Sequence, residues 1–207
     1  MTNVLVVYKK NFESIHDESL EQLKSILEEM KSNHQLRIEL RARERVRRAD
    51  FIGRDLVIVL GGDGTLTSIS HNIDENTPVM GVNSHPVSED TNGSVGFYMD
   101  STLETFAEDF SAALSGTAIE NNLPRLRAII DSTSGNRYTT DPAMNELLIA
   151  NTHQYAPSKY HVRRGENDTT QQSSGLIFST WLGQGAWFSH SLDMQTLEKI
   201  RASVNEG

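Results

Sequence analysis

Apolar positions along the chain fall into short blocks parted by polar stretches, and the period within each block predicts an element. Val4–Tyr8 is a β-branched run of strand length and predicts a central strand. Over residues 17–32, Leu20, Leu23, Leu27 and Met30 recur at helical spacing, with Glu and Lys filling the other face, which predicts an amphipathic surface helix. Gln35–Leu40 reads as a second strand, Leu56–Leu60 as a buried third, Leu66–Ile73 as a helix and Pro78–Val82 as a fourth strand. Strands and helices in alternation predict a parallel sheet with right-handed crossovers, which binds ligands at the carboxyl edge of its strands. A further helical pattern, Leu103, Phe106, Phe110 and Leu114, is expected to start at a Ser101–Glu104 capping box and to stop at Gly116.

The pattern changes after residue 120. Leu126–Ile130, Glu146–Ala150, Tyr160–Arg163 and Gly175–Thr180 are short strand candidates with turn residues between them, and no long helix interrupts them before Ser191. Asp193–Val204 is polar and weakly helical, and residues 84–96 read as a functional or mobile loop. The fold class is therefore α/β. A parallel-sheet α/β domain is expected over residues 1–100, followed over 101–207 by a helix and a mostly β, sandwich-like substrate domain.

Composition narrows the function classes. At 207 residues, 37% hydrophobic and 23% charged, the chain is an ordinary globular protein of one large domain or two small ones. A net charge of −9 argues against general nucleic-acid affinity, although residues 41–50 hold five arginines. That run reads as a solvated face or as a phosphate-binding arm. With no cysteine, disulfides, cysteine–zinc sites and thiol catalysis are excluded, which fits a cytoplasmic protein. No apolar stretch approaches the roughly 18 residues of a membrane span, and the opening lacks a signal-peptide layout. No membrane association is expected.

The chemistry concentrates in residues 56–65, Leu-Val-Ile-Val-Leu-Gly-Gly-Asp-Gly-Thr. Glycines at a strand-to-helix turn let the backbone approach a phosphate, and the N–H groups of the helix start bind the anion. Asp63 would repel an anion, so its carboxylate makes more sense as a general base or a metal-bridged group. The plainer alternative is a tight turn with a helix-capping aspartate. Further on, Asn145-Glu146 stands immediately before an apolar strand, where an adjacent amide and carboxylate can hold a ribose.

The ten-residue glycine block resembles the signature of the NAD kinase superfamily, which also contains diacylglycerol and sphingosine kinases and bacterial phosphofructokinases. Ala143-Met144-Asn145-Glu146 is similar to the Ala-x-Asn-Glu/Asp pair of NAD kinases, which the other branches lack. In the block 173–187, Gly175, Leu176, Ser179, Thr180, Gly183, Ala186 and Trp187 match the NAD kinase pattern. Ser174 replaces an aspartate there, and Leu182, Gln184 and Gly185 replace three hydroxyl residues. Each lost hydroxyl weakens hydrogen bonding to the adenosine part by roughly 0.5–1.5 kcal/mol. Val7-Tyr8-Lys9-Lys10, Ser173-Ser174-Gly175-Leu176 and Gly81-Val82-Asn83-Ser84-His85-Pro86, with His85 for an aspartate, resemble the mitochondrial and plant NADH-kinase branch. Gly96-Phe97-Tyr98 is similar to the segment that borders the family's substrate pocket.

The resemblance implies phosphoryl transfer from ATP, or another donor, to the adenosine ribose 2′-hydroxyl of NAD or NADH. It assigns Asp63 to the acceptor hydroxyl and Gly61, Gly62, Gly64 and Thr65 to the donor phosphates. Asn83, Phe97, Asn145, Glu146, Ala186 and Trp187 are assigned to the dinucleotide. Mg²⁺ would bridge the phosphates, with no side-chain ligand set of its own. His71 reads either as facing the pocket or as structural. The family implies a homo-oligomer, dimer or tetramer, and many tens of residues beyond the turn, where this sequence has twenty after Trp187. Three other functions fit parts of the pattern: a non-catalytic dinucleotide sensor on the same scaffold, a lipid or sugar kinase, and a nucleic-acid binder using Arg41–Arg48.

Overall fold

A computed structural model describes residues 1–10, 14–87, 93–153, 155–193, 195–196 and 198. The chain divides into two compact units, Met1–Asn122 and Leu123–Gly207.

In the first unit the β-branched runs do what their length allows. Strands β1 (Thr2–Tyr8), β2 (Leu36–Ala42), β3 (Leu56–Gly61), β4 (Val79–Asn83) and β5 (Ser101–Thr102) form one parallel sheet in the order β2-β1-β3-β4-β5. Helices α1 (Ser14–Lys31), α2 (Arg48–Phe51), α3 (Asp63–Ile69) and α4 (Phe106–Ser115) connect or follow the strands, and a 3-10 turn at Ser70–Asn72 continues α3. Strand residues alternate between the faces of the sheet. Val4, Val6, Leu56, Ile58 and Leu60 form one core with Leu20, Leu23, Leu27 and Met30 of α1 and with Phe106 and Phe110 of α4. On the alternate positions Leu5, Val7, Val57 and Val59 are also fully buried, as strands covered on both faces must be.

Two expectations about α4 need correction. Ser101 does not cap a helix: it pairs with Val82 as part of β5, and its hydroxyl donates to Asp109 at 2.7 Å. The helix starts five residues later, at Phe106, and ends as expected at Gly116, whose φ of 71° suits glycine. The helix assigned from sequence to the second domain packs instead into the core of the first unit, its Phe106 and Phe110 rings stacked 5.4 Å apart.

Two arginines of the run, Arg41 and Arg43, are neutralised within the fold. Arg41 and Arg54 both pair with Glu39, Arg41 also reaches Asp50 at 3.6 Å, and Arg43 pairs with Glu44 at 2.9 Å. The Arg54 hydrogen bond, above all, holds the Glu39 carboxyl below its ordinary pKa.

The second unit is mostly β. Strands β6 (Ile129–Asp131), β7 (Arg137–Thr139), β8 (Glu146–Ile149), β9 (Ser158–Arg164), β10 (Asn167–Ser173) and β11 (Leu176–Ser179) pair antiparallel as β6-β7, β8-β11 and β9-β10. The one-turn helix α5 (Trp187–His190) follows. Most of Asp193–Val204, expected to be weakly helical, lies outside the described residues. Among the described residues no helix is long and apolar enough to cross a membrane.

Because both Phe106 and Phe110 are at 0% exposure, Phe110→Ala leaves a cavity against α1 and the sheet. It should cost about 3–5 kcal/mol of unfolding free energy, read as a lower midpoint in urea at unchanged slope.

Candidate active site

The residues assigned in the first unit are positioned from β3. All six of its residues are buried, and the chain then leaves the sheet through Gly62, which is extended, into α3 at Asp63. Packing explains two of the three glycines. A Cβ on Gly61 would lie 2.3 Å from Thr65 Oγ1, and one on Gly62 would lie 2.6 Å from Ser94 Oγ. Gly64 is different: a Cβ there would meet nothing within 4 Å, and its φ is not in the left-handed region. Nothing inside the described fold demands glycine at 64. The open space lies over the first turn of α3.

Asp63 is held by backbone. Its Oδ2 accepts the Phe97 N–H at 3.0 Å and its Oδ1 accepts the Tyr98 N–H at 2.8 Å. Each carboxylate oxygen keeps a second lone pair, so the group is fixed in direction yet can still accept from a hydroxyl. Asn83 ends β4 directly opposite Gly61 and is 4% exposed. Its Nδ2 donates to Ser94 O at 3.1 Å and its Oδ1 accepts the His85 N–H at 3.1 Å, so the amide already holds the loop together. Gly96, at φ 71°, lets that loop pass: a Cβ there would lie 2.5 Å from Asn83 Nδ2. The loop presents Phe97, which is 58% exposed and whose ring stands edge-on to Tyr98 at 5.0 Å. His71 is exposed on the 3-10 turn, its Nε2 3.0 Å from Asn72 Nδ2.

A separate group of assigned residues lies within the other unit. Thr180, 7% exposed, donates its hydroxyl to Met144 O at 2.6 Å and accepts the Gly183 N–H at 3.1 Å. Its own N–H donates to Asn145 O at 2.9 Å. A Cβ on Gly183 would lie 2.5 Å from Asn145 O, so the 182–185 turn is closed tightly onto the Asn-Glu pair. Glu146 Oε1 then accepts the Phe188 N–H at 3.0 Å, in the first turn of α5. Asn145, Glu146, Ala186 and Trp187 are thus drawn together, with Trp187 51% exposed.

Each unit assembles its own share of the assigned residues. Gly61, Gly62, Asp63, Gly64, Thr65, Asn83 and Phe97 gather in the first unit, and Asn145, Glu146, Ala186 and Trp187 in the second. Two participants lay beyond the sequence reading as site residues. Tyr98 acts through its backbone N–H, which carries no sequence signal. Thr180 sits within the Ser-Thr block and was legible only as a pattern match. Among the described residues no group of three or more His, Asp or Glu side chains converges on a metal position.

An open parallel sheet with a glycine–aspartate turn at its carboxyl edge defines an α/β protein of the kind whose ligand sites lie at that edge. Residues 2–118 match the ATP-NAD kinase N-terminal domain, and the chain belongs to that family. A probable NADH kinase of Oryza sativa subsp. japonica is 31% identical over 133 residues, covering 59% of this chain and 39% of that protein. An NADH kinase of Arabidopsis thaliana is 36% identical over 88 residues, 38% of this chain and 28% of that one. An NAD kinase of Thermococcus sibiricus is 28% identical over 136 residues, 64% and 44% respectively. The chain therefore spans less than half the length of these curated relatives. The crystal structure of yeast NADH kinase complexed with NADH shares the fold at TM-score 0.60 and 16% identity, with 92% of this chain and 60% of that chain covered.

The Glu146 contact gives a local test. Glu146→Ala removes the acceptor for the Phe188 N–H, so hydrogen exchange at that amide should quicken by about tenfold, as befits one lost charge-assisted bond. Exchange at Val57 and Ile58, buried in the first unit, should not change.

Proposed function

We propose that the protein is an NAD(H) kinase, transferring a phosphoryl group from ATP or another phosphoryl donor to the adenosine ribose 2′-hydroxyl of NAD or NADH. The observation that carries this reading is Asp63, a carboxylate fixed by two backbone N–H groups at the mouth of a glycine turn, in a chain whose residues 2–118 belong to the ATP-NAD kinase family. A site meant only to hold phosphate gains nothing from a rigid negative group. A site that must orient a hydroxyl beside phosphate does.

In the proposed step Asp63 accepts the proton as the 2′ O–H bond breaks. The new O–P bond forms to the terminal phosphorus, and the bond from that phosphorus to the bridging oxygen breaks, releasing ADP or a shortened polyphosphate. Most of the catalysis is positioning and charge stabilisation. The glycine turn holds the donor, with the Thr65 N–H closing the turn onto Gly62 O at 2.8 Å, and the open space over Gly64 leaves room for a phosphate. Phe97 and Trp187 offer exposed rings for the dinucleotide, and Asn145 and Glu146 a ribose contact. With one carboxylate at the turn, a Mg²⁺ ion would be brought by the donor's phosphates and would supply neutralisation of their charge. A cytoplasmic homo-oligomer completes the reading.

Two substitutions test it. Asp63→Asn should lower the rate of NADP(H) formation by about 100-fold or more, with dinucleotide binding retained. An unchanged rate would remove Asp63 from the chemistry. Gly64→Ala should leave stability equal or up to about 1 kcal/mol higher, since alanine is the better helix former and meets no neighbour. The same change should raise the KM for the donor about tenfold. A normal KM would show that the open turn holds no phosphate. Dinucleotide binding without turnover in the wild type would favour the sensor reading.

A further inference from the structure

The reading of the glycine turn as a donor-phosphate site leaves one feature of the same sheet edge without a role. The chain carries a net charge of −9, yet five of its 19 basic residues fall between positions 41 and 48. Arg41 and Arg43 are taken up by Glu39, Asp50 and Glu44. Arg45 is exposed and has no ion-pair partner among the described residues, and the same holds for Lys10.

Backbone bonds fix where these two stand. The Arg43 N–H donates to Tyr8 O at 2.9 Å, the Lys9 N–H to Leu60 O at 3.1 Å and the Ser84 N–H to Gly61 O at 3.1 Å. The ends of β2, β1, β3 and β4 therefore meet at one carboxyl edge in that order. Lys10 follows the end of β1, between the arginine turn after β2 and the glycine turn after β3. Two strand spacings, about 10 Å, separate those two turns. That is a span for an extended chain of phosphates, not for a single one.

We propose that Lys10 and Arg45 form a polyphosphate subsite beside the glycine turn, which holds the phosphates behind the one transferred. The terminal phosphoryl group lies at the glycine turn next to Asp63, and the leaving phosphates run across β1 toward Arg45. Negative charge builds on those phosphates as the bridging bond breaks, and fixed cations there stabilise it. Lys10 supplies a point charge and Arg45 a fork able to take two oxygens. A nucleoside triphosphate and an inorganic polyphosphate both present this chemistry.

The test is calorimetric titration of the full chain with inorganic tripolyphosphate at fixed ionic strength. The wild type should bind, and the double variant Lys10→Ala/Arg45→Ala should bind at least tenfold more weakly. Arg37→Ala serves as the charge control. Arg37 is exposed at the opposite end of β2, paired with Asn3, and its variant should stay within twofold of wild type. No binding by the wild type, an unaffected double variant, or an equal loss in Arg37→Ala would each overturn the proposal. So would competition by a mixed-sequence oligonucleotide at equal phosphate concentration. Loss of affinity for both ATP and a long polyphosphate in the double variant supports a shared subsite, and loss for ATP alone assigns it to the nucleotide. If tripolyphosphate binding depends on Lys10 and Arg45 while no NADP(H) is ever formed, the subsite stands and the kinase reading falls.

Discussion

The parallel pairing of β3 between β1 and β4 is the constraint on which the first unit turns. Every residue of β3 is buried, so its register against both neighbours is set by apolar contacts on both faces. A slip of one residue would exchange Val57 and Val59 with Ile58 and Leu60, and would carry Gly61 away from Asn83. With the register fixed, the strand ends at Gly61 whatever the loops do. Lys9, Gly61 and Asn83 then come to one edge through backbone hydrogen bonds alone.

From that edge the site is assembled by polar groups spending their bonds on each other. Asn83 is engaged by His85 and Ser94, and Asp63 by the Phe97 and Tyr98 N–H groups, so the segment that carries the exposed Phe97 is held from both residues. The role assigned to Asn83 from sequence, direct contact with the dinucleotide, sits beside a structural one that the geometry makes plain. In the second unit Thr180 and Glu146 do the same work, folding the 182–188 segment onto the Asn-Glu pair. The hydroxyls replaced by Leu182, Gln184 and Gly185 are not needed for that closure. Leu182 is buried, and Gly183 supplies the close approach.

Much of this was legible in the residues themselves. β1, α1 and β3 stood out because their apolar runs are long and have one period, and the glycine–aspartate turn stood out because its chemistry is incompatible with an ordinary strand end. What the sequence hid has physical causes. β10, Asn-Asp-Thr-Thr-Gln-Gln-Ser, is polar on both faces, and its hairpin with β9 is made by backbone pairing that leaves no hydrophobic trace. β7 is three residues long. Ser101 with Glu104 satisfied the capping pattern, but Ser101 pairs with Val82 and gives its hydroxyl to Asp109. The grip on Asp63 comes from amides 34 and 35 residues away, which no local pattern encodes.

Transfer of phosphorus at this edge is what separates a kinase from a dinucleotide binder. Phosphorus-31 NMR of the purified protein with Mg²⁺-ATP and NADH, or NAD, follows donor and product together. A new phosphomonoester resonance on the adenosine ribose, growing in step with ADP, is the predicted result. ATP and dinucleotide that both bind yet stay chemically unchanged would contradict it.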